Sequence, residues 1–403
     1  MVRSGFMLYR SPGTSFTPGM PWMETDKERQ RRGFVADHAS GQWSMMELCE
    51  RYGISRPTGY ELLRRVEAEG QAGLRDRSRA PRSCPHQTPP EMEHRILALR
   101  MKHGWGAKKL LQALAKRHPR IELPARSTVN AILERHGKLH KRRRRRRWKH
   151  PGAAPLETDH PNQVWPVDFK GQFKTLDAKY CYPLTVTDHF SRTLLLCKGL
   201  LSIRTEGAQP AFRRLFREVG LPEAIRSDNG APFASTGIHG LCQLNVWWMK
   251  LGIVHQRIRP SSPQENGQHE RMHQDLKRET TRPPAANLRG QQRKFDRFQR
   301  CYNEERPHDG IHGDLPCERW EPSPRPYPER LAKPEYPSHL EIRRVSAAGT
   351  FRLKAKQPFL SNALAGEYVG LEEVGDGLWN IVYYRTLLGR IDERTGRITG
   401  VDV

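Results

Sequence analysis

Between Lys138 and His150 the chain reads KLHKRRRRRRWKH, nine basic side chains in thirteen residues without one acid. No protein core can take such a run, because burying unpaired cations is prohibitively costly. Mutual repulsion keeps it extended until phosphates neutralise it. The run therefore lies between two folded segments, and the 403 residues suggest roughly two to four domains.

Charge elsewhere points the same way. Lys plus Arg number 69 against 44 Asp plus Glu, a net +25, and residues 1–150 hold 33 basic and 14 acidic side chains, so +19 lies there. A field of that sign attracts polyanions, which makes nucleic acid the expected partner. The seven cysteines (49, 84, 181, 197, 242, 301, 317) are never spaced C-x-x-C, which argues against a disulfide framework or a zinc site. No apolar run approaches a membrane span and the start lacks a signal-like apolar stretch, so a cytoplasmic, DNA-associated protein with no membrane partner is expected. Residues 1–25 read as a disordered lead, with Met20 or Met23 as alternative starts.

Residues 26–80 carry helical periodicity. Met45 and Leu48, then Leu62, Leu63 and Val66, keep apolar faces at helical spacing, interrupted by Gly53-Ile54-Ser55. This predicts a helix-turn-helix with Ser55 as N-cap and Pro57 in the first turn of its second helix. Arg56, Thr58, Tyr60, Arg64 and Arg65 would then decorate a DNA-facing surface. An ordinary helical hairpin is the alternative, and the net charge favours DNA. After a Pro-rich break at 80–90, helices are predicted at 91–102, 107–117 and 127–136, the last capped by Ser127 and followed by Gly137. This second helix-turn-helix, 91–137, suggests a bipartite DNA site, with Lys108 and Lys109 as further contact candidates. In the basic linker, 138–160, Arg142, Arg143, Arg144, Arg145, Arg146 and Arg147 are candidate phosphate contacts; a solvated tail or a localisation signal is the alternative.

From Gln163 the pattern turns to strands. Runs at 163–173, 180–192 and 193–200 predict an antiparallel meander, followed by a helix at 205–219 with Thr205 as a possible cap, a strand at 223–230, a helix at about 236–251, a strand at 253–258 and a helix within 261–279. That order predicts a mixed sheet covered by helices. Three carboxylates stand out: Asp168 inside the first strand, Asp228 ending the fourth, and Glu265 in the first turn of the last helix. Two-metal phosphoryl chemistry needs such a set, because Mg²⁺ takes a few carboxylate oxygens and leaves other positions to water and phosphate. Each also has a plainer reading: Asp168 as a strand-end acid paired with Lys170 or an arginine, Asp228-Asn229-Gly230 as a turn, and Ser262-Pro263-Gln264-Glu265 as a capping box.

Together, VDF at Asp168, RSDNG at Asp228 and PQENGQHER at Glu265, with 59 and 36 intervening residues, resemble the catalytic core of retroviral integrases and related bacterial insertion-sequence transposases. TVTDHFSR (185–192) resembles that family's second-strand motif, and YNEERPHDGIHGDLPCERW (302–320) its terminal Tyr-Asn-x-x-Arg-Pro-His segment. The resemblance implies an RNase H-like α/β core at 161–320, a DDE-type enzyme, and Asp168, Asp228 and Glu265 as ligands of two Mg²⁺ ions, with Mn²⁺ as a substitute. It also implies that Asn229 and Gly230 shape the second aspartate's turn, and that Asn266 and Gly267 keep the helix start open to DNA. His269, one turn beyond Glu265, would replace a DNA-contacting lysine, while Asp188 is structural. No zinc-binding His and Cys set is visible in residues 1–150, which favours the bacterial branch. The implied activity is cleavage and strand transfer at terminal inverted repeats into target DNA, by a homo-oligomer assembled on double-stranded DNA. A DNA-binding regulator that inherited a sheet domain and a ribonuclease of the same fold class are the rivals.

EPSPRPYPERLAKPEYP, six prolines in seventeen residues, reads as part of a semi-rigid linker, 321–340. Residues 341–403 alternate as short strands between glycines, predicting a small SH3-like β-barrel. The expected fold class is thus multidomain: all-α helix-turn-helix units, a central α/β domain and a C-terminal β-barrel.

Overall fold

The computed structural model describes residues 26–78, 87–139, 157–235, 237, 240–258 and 267–400. The lead before residue 26, the arginines 142–147 and the 262–265 capping box lie outside the described residues, as do Glu265 and Asn266. The chain forms two compact units, Met1–Gln87 and Thr88–Val403.

The first unit is helical: α1 (Lys27–Ala39), α2 (Met45–Tyr52) and α3 (Arg56–Glu69), closed by a 3-10 turn at Gly70–Leu74. Ser44 and Glu47 form a reciprocal capping box on α2. Gly53, at φ 61°, ends that helix in the left-handed conformation that favours glycine, and Ser55 caps α3 with Pro57 in its first turn. The core is Phe34, Leu48, Cys49, Leu62 and Leu74. Gly59 permits the close approach of α3, since a Cβ there would meet the Phe34 ring at 3.0 Å and Cys49 Sγ at 3.2 Å. The predicted helix-turn-helix is present, with its cap.

The second unit begins with α4 (Pro90–His103), α5 (Ala107–Arg117) and α6 (Arg126–Arg135), packed about Ile96, Leu110, Leu114, Val129 and Leu133. The predicted Ser127 cap is corrected: Ala125 precedes the helix without a side-chain cap, and Ser127 lies inside it. The sheet that follows contains β1 (Val164–Phe169), β2 (Phe173–Lys174), β3 (Tyr180–Thr187) and β4 (Leu194–Leu200), then β5 (Ala224–Ser227) and β6 (Val254–Arg257). Its spatial order is β4-β3-β1-β5-β6, with β2 continuing the β1 edge of β3. β3 is antiparallel to both β1 and β4, whereas β1, β5 and β6 run parallel. The meander and the mixed sheet both match the alternation in the sequence.

Helices cover both faces. α7 (Thr205–Val219) and α8 (Gln243–Lys250) pack Phe212, Phe216, Leu244 and Trp248 against Trp165, Val167, Val186 and Ile225. α9 (Gly267–Thr280) and α10 (Leu288–Arg300) bury Met272, Leu276, Phe295 and Phe298 against Cys181, Leu194 and Cys197. Thr205 is the first residue of α7 and Arg204 its cap. α8 is shorter than the predicted 236–251 because Cys242 and Asn245 form a capping box at its start.

The proline-rich stretch after Trp320 is a strap on the sheet domain rather than a free linker. Ser323 N donates to the Val219 carbonyl and Leu221 N to the Arg325 carbonyl, both at 2.8 Å. The Arg325 guanidinium donates to the carbonyls of Pro222 at 2.7 Å and Gly252 at 2.9 Å. Gly220 makes room, since a Cβ there would meet the Ser323 carbonyl oxygen at 2.7 Å. Prolines suit the strap because they donate no backbone hydrogen bond that would need a partner.

The chain ends in β7 (Glu341–Arg344), β8 (Tyr368–Gly375), β9 (Leu378–Tyr383), β10 (Thr386–Asp392) and β11 (Ile398–Gly400). They form a five-stranded antiparallel sheet in sequential order. Its core, with Phe351, Leu371, Trp379 and Ile381, also takes in Val246 and Met249 of α8, and Lys250 pairs with Glu367 at 2.5 Å. Among the described residues no helix is long and apolar enough to cross a membrane.

Candidate active site

Two of the three predicted carboxylates meet at one end of the sheet. Pro166 on β1 pairs with Arg226 on the parallel strand β5, and each aspartate follows its strand's paired residue by two positions, so the Asp228 charge acts on Asp168. Asp168 is half-buried and Asp228 exposed. Burial first, and then the charge of Asp228, push the Asp168 carboxyl up to about 7. The turn beyond β5 fixes Asp228: Gly230 N donates to its Oδ1 at 3.2 Å, and Asn229 Nδ2 donates to the Ile258 carbonyl at 2.8 Å. Asn229 and Gly230 thus shape that turn as expected.

A third negative charge reaches Asp168 from the first turn of α9. It belongs to Glu270, whose exposed carboxylate also raises the Asp168 value. Glu270 lies five residues beyond Glu265, inside the PQENGQHER segment whose resemblance points to Glu265. The available signal was helical spacing, because Glu270 and His273 are i,i+3 neighbours, and His273 Nδ1 lies 3.6 Å from Asp168 Oδ2.

Behind Asp168 lies a buried polar cluster. Thr185, opposite Asp168 on β3, donates its hydroxyl proton to the Asp168 carbonyl at 3.1 Å. Its Oγ1 also lies 2.6 Å from His269 Nε2 and 2.7 Å from His273 Nε2. A hydroxyl has one proton and two lone pairs, so both imidazoles donate from Nε2. Burial holds both far below the usual imidazole range, hence neutral. The bare Nδ1 of His273 then faces Asp168 Oδ2, a contact that favours a proton on the carboxyl. His269 is therefore corrected: it is buried between Thr185 and Thr187, not turned to DNA. Asp188 is buried with both oxygens occupied, accepting from Asn162 N at 2.7 Å and from Ser191 N at 2.7 Å and Oγ at 2.6 Å.

The 302–308 segment serves structure. Asn303 takes Leu194 N at 2.9 Å and gives to its carbonyl at 3.0 Å, holding the β4 edge. Arg306 is buried, ion-paired with Asp275 on α9 and with Glu279 at 3.4 Å, and His308 contacts the Tyr302 carbonyl at 3.1 Å. These bonds fix α9, and with it Glu270 and His273, over the strand ends.

The DNA-contact candidates divide. Arg56, Thr58, Tyr60 and Arg64 are exposed on α3. Arg65 instead folds back to donate to the Arg75 carbonyl at 2.6 Å. Lys108 pairs with Asp309 at 2.6 Å, and burial with the neighbouring Arg306 charge lowers half-buried Lys109 to about 8. Both lysines are thus committed to the sheet domain, because α5 docks there: Lys116 also pairs with Glu318 and Arg117 with Glu305 at 3.0 Å.

Comparison with known proteins agrees with this layout. An integrase core domain profile matches residues 158–263, the segment that carries both aspartates, and a second integrase core profile matches 251–316. The central domain is an integrase core. This integrase core belongs to the DDE polynucleotidyl transferase family. A helix-turn-helix domain profile matches 30–82 and a homeodomain-like domain profile 58–133. A curated relative, the insertion element IS476 uncharacterized 39.2 kDa protein of Xanthomonas euvesicatoria, is 26% identical over 246 residues, spanning 58% of this chain and 66% of its own length. Along this chain, helix-turn-helix domains thus precede an integrase core. Among solved structures, a chain of the simian T-cell lymphotropic virus intasome is 16% identical with a TM-score of 0.38, covering 71% of this chain and 91% of that one. The HTLV-2 integrase catalytic core domain in complex with magnesium is 17% identical with a TM-score of 0.31, covering 40% and 97%.

Proposed function

We propose that the protein is a DNA transposase that cuts the terminal inverted repeats of its insertion sequence and joins them to target DNA. The observation that carries this reading is the pair of carboxylates at the ends of β1 and β5, Asp168 and Asp228, where burial and then the Asp228 charge raise Asp168 to about 7. Such a pair is electrostatically incomplete without a cation, and the all-oxygen donor set suits Mg²⁺, or Mn²⁺ in its place. Asp168 and Asp228 would hold the metal, two ions in all, together with a carboxylate from the start of α9. Glu265 is one candidate; Glu270 is the other, supported by its charge acting on Asp168. Bound metal would supply Lewis-acid activation of water, or of a terminal 3′-hydroxyl, for attack on a phosphodiester.

The protein's own groups bind and position. α3, through Arg56, Thr58, Tyr60 and Arg64, and the second helix-turn-helix read the repeats. Arg142 to Arg147 hold phosphates between them and the integrase core, and the C-terminal sheet, read as an SH3-like barrel, contacts DNA or a second subunit. Coordinated cutting of two ends requires a homo-oligomer assembled on DNA.

The test is Mg²⁺-dependent cleavage of terminal-repeat duplex, with an RNA–DNA hybrid as the control substrate. Asp168→Asn and Asp228→Asn should each abolish cleavage while repeat binding survives. Of Glu265→Gln and Glu270→Gln, the variant that loses cleavage names the third carboxylate. Preferential cutting of the hybrid would make the protein a ribonuclease, and binding without cutting would make it a regulator.

A further inference from the structure

One face of α10 carries four arginines that no described residue engages. Arg289, Arg293, Arg297 and Arg300 recur at intervals of four, four and three residues, so they form a single stripe. All four are exposed, and among the described residues none has a hydrogen-bonding or acidic partner. Nearby arginines behave otherwise: Arg214 pairs with Glu218 at 2.7 Å, Arg278 with Asp275 at 2.8 Å and Arg319 with Asp314 at 2.9 Å. The acid beside the stripe, Asp296, accepts from Gln292 at 2.7 Å. The opposite face of α10 is buried through Gln291, Phe295 and Phe298, so the helix cannot turn its arginines inward.

The stripe does not end with the helix. Lys294, Arg297 and Arg300 line a cavity of about 680 Å³ together with Lys102 of α4. The two acids in its wall are already engaged, Glu279 by Arg278 and Arg306 and Glu305 by Lys102 and Arg117. The cationic surface therefore continues from the integrase core onto the second helix-turn-helix unit within one compact body.

We propose that this stripe is a phosphate-backbone track for the terminal-repeat duplex. The track leads from the second helix-turn-helix onto the integrase core. From Arg289 to Arg300 the helix rises roughly 16 Å, the length of about five base-pair steps of a duplex. Unpaired guanidiniums on a rigid helix suit phosphates, which they grip by paired N–H donors. The continuity with α4 assigns the track to the DNA that the second helix-turn-helix holds, rather than to target DNA. The assignment rests on the transposase reading above.

The experiment replaces all four arginines by glutamine in the Asp168→Asn background, so that no DNA is cut. Binding of terminal-repeat duplex is measured over a series of salt concentrations. The control is Arg214→Gln with Arg217→Gln, exposed residues of α7 that already have acidic partners. The stripe variant should keep the thermal stability of its parent, and its slope of log affinity against log salt should flatten by roughly 0.9 per lost contact, up to roughly 3.6. Footprinting should lose protection beside the segment bound by the second helix-turn-helix. An unchanged slope, or equal flattening in the control, overturns the track. Loss of self-association with the slope intact would make the stripe a subunit interface and equally overturn it. If the parent shows no preference for the repeat over random duplex, the transposase reading fails, and a flattened slope on random duplex would still keep the stripe as a phosphate contact.

Discussion

Replacing Asp168 by asparagine should stabilise the metal-free protein, although it destroys the proposed catalytic site. The Asp168 carboxyl stands at about 7 against an ordinary 3.8 because burial and Asp228 disfavour its charge. A folded value above the unfolded one means that the native state keeps a proton which the unfolded chain has released, so stability falls as pH rises through that window. Below 3.8 both states are protonated and the residue costs nothing; above about 7 the whole penalty applies. At 1.36 kcal/mol per tenfold in proton affinity, the full span is about 4 kcal/mol as an upper bound, of which about 2–3 kcal/mol develops between pH 5 and pH 8. Asparagine has no charge to bury. Scanning calorimetry in chelator should show Asp168→Asn melting above wild type at pH 8, by an amount on the order of 10 °C at most, with a smaller gain at pH 5. Magnesium should raise the wild-type melting temperature, since a ligand of the native state stabilises it, and should leave the variant nearly unmoved. An asparagine variant no more stable than wild type at pH 8, or a gain that does not grow with pH, would refute the argument that these two aspartates repel across the strand ends.

Arg306→Met removes the buried cation of Asp275, leaving it only the exposed Arg278, and should cost up to about 3–5 kcal/mol, read by denaturant unfolding, with partial recovery on adding Asp275→Asn. Changing Thr58 and Arg64 together should weaken binding to the terminal repeat far more than to random duplex at fixed salt; equal losses would make α3 a backbone contact. Glutamines at Arg142 to Arg147 should lower affinity about equally for both DNAs and flatten the salt slope, whereas a loss confined to the repeat would mean that the run reads bases.

The sequence made the sheet and both aspartates legible because each depends on short-range signals. Apolar, β-rich runs separated by short breaks mark β1, β3 and β4, and the Asp-Asn-Gly turn ends β5. The first helix-turn-helix was legible through its cap, since Ser55 and Pro57 act on their own helix. What escaped depends on tertiary partners. His269 reads as a polar residue on a helix face, and only the register of α9 over Thr185 buries it. Lys108 and Lys109 look like DNA contacts until Asp309 and Arg306 are seen beside them. Glu270 is not distinguished by sequence alone, because its role depends on how α9 lies against β1.

Asn162 receives the indole N–H of Trp165 at 3.2 Å and of Trp320 at 3.1 Å, and gives its own amide to the Glu321 carbonyl at 2.8 Å. The entry to the sheet domain is thereby stitched to its exit, and the strap to Tyr327 continues the seam over Phe216. The second integrase core profile stops at residue 316. A polypeptide cut there would lose Trp320, Ser323 and Arg325 at once, leaving the Asn162 side chain only the Trp165 indole and baring the end of α7. The smallest piece able to stand alone must run at least through Tyr327, so family boundaries drawn by sequence similarity fall short of the boundary drawn by hydrogen bonds. Dissection and domain exchange among insertion-element proteins of this kind should be planned from that seam.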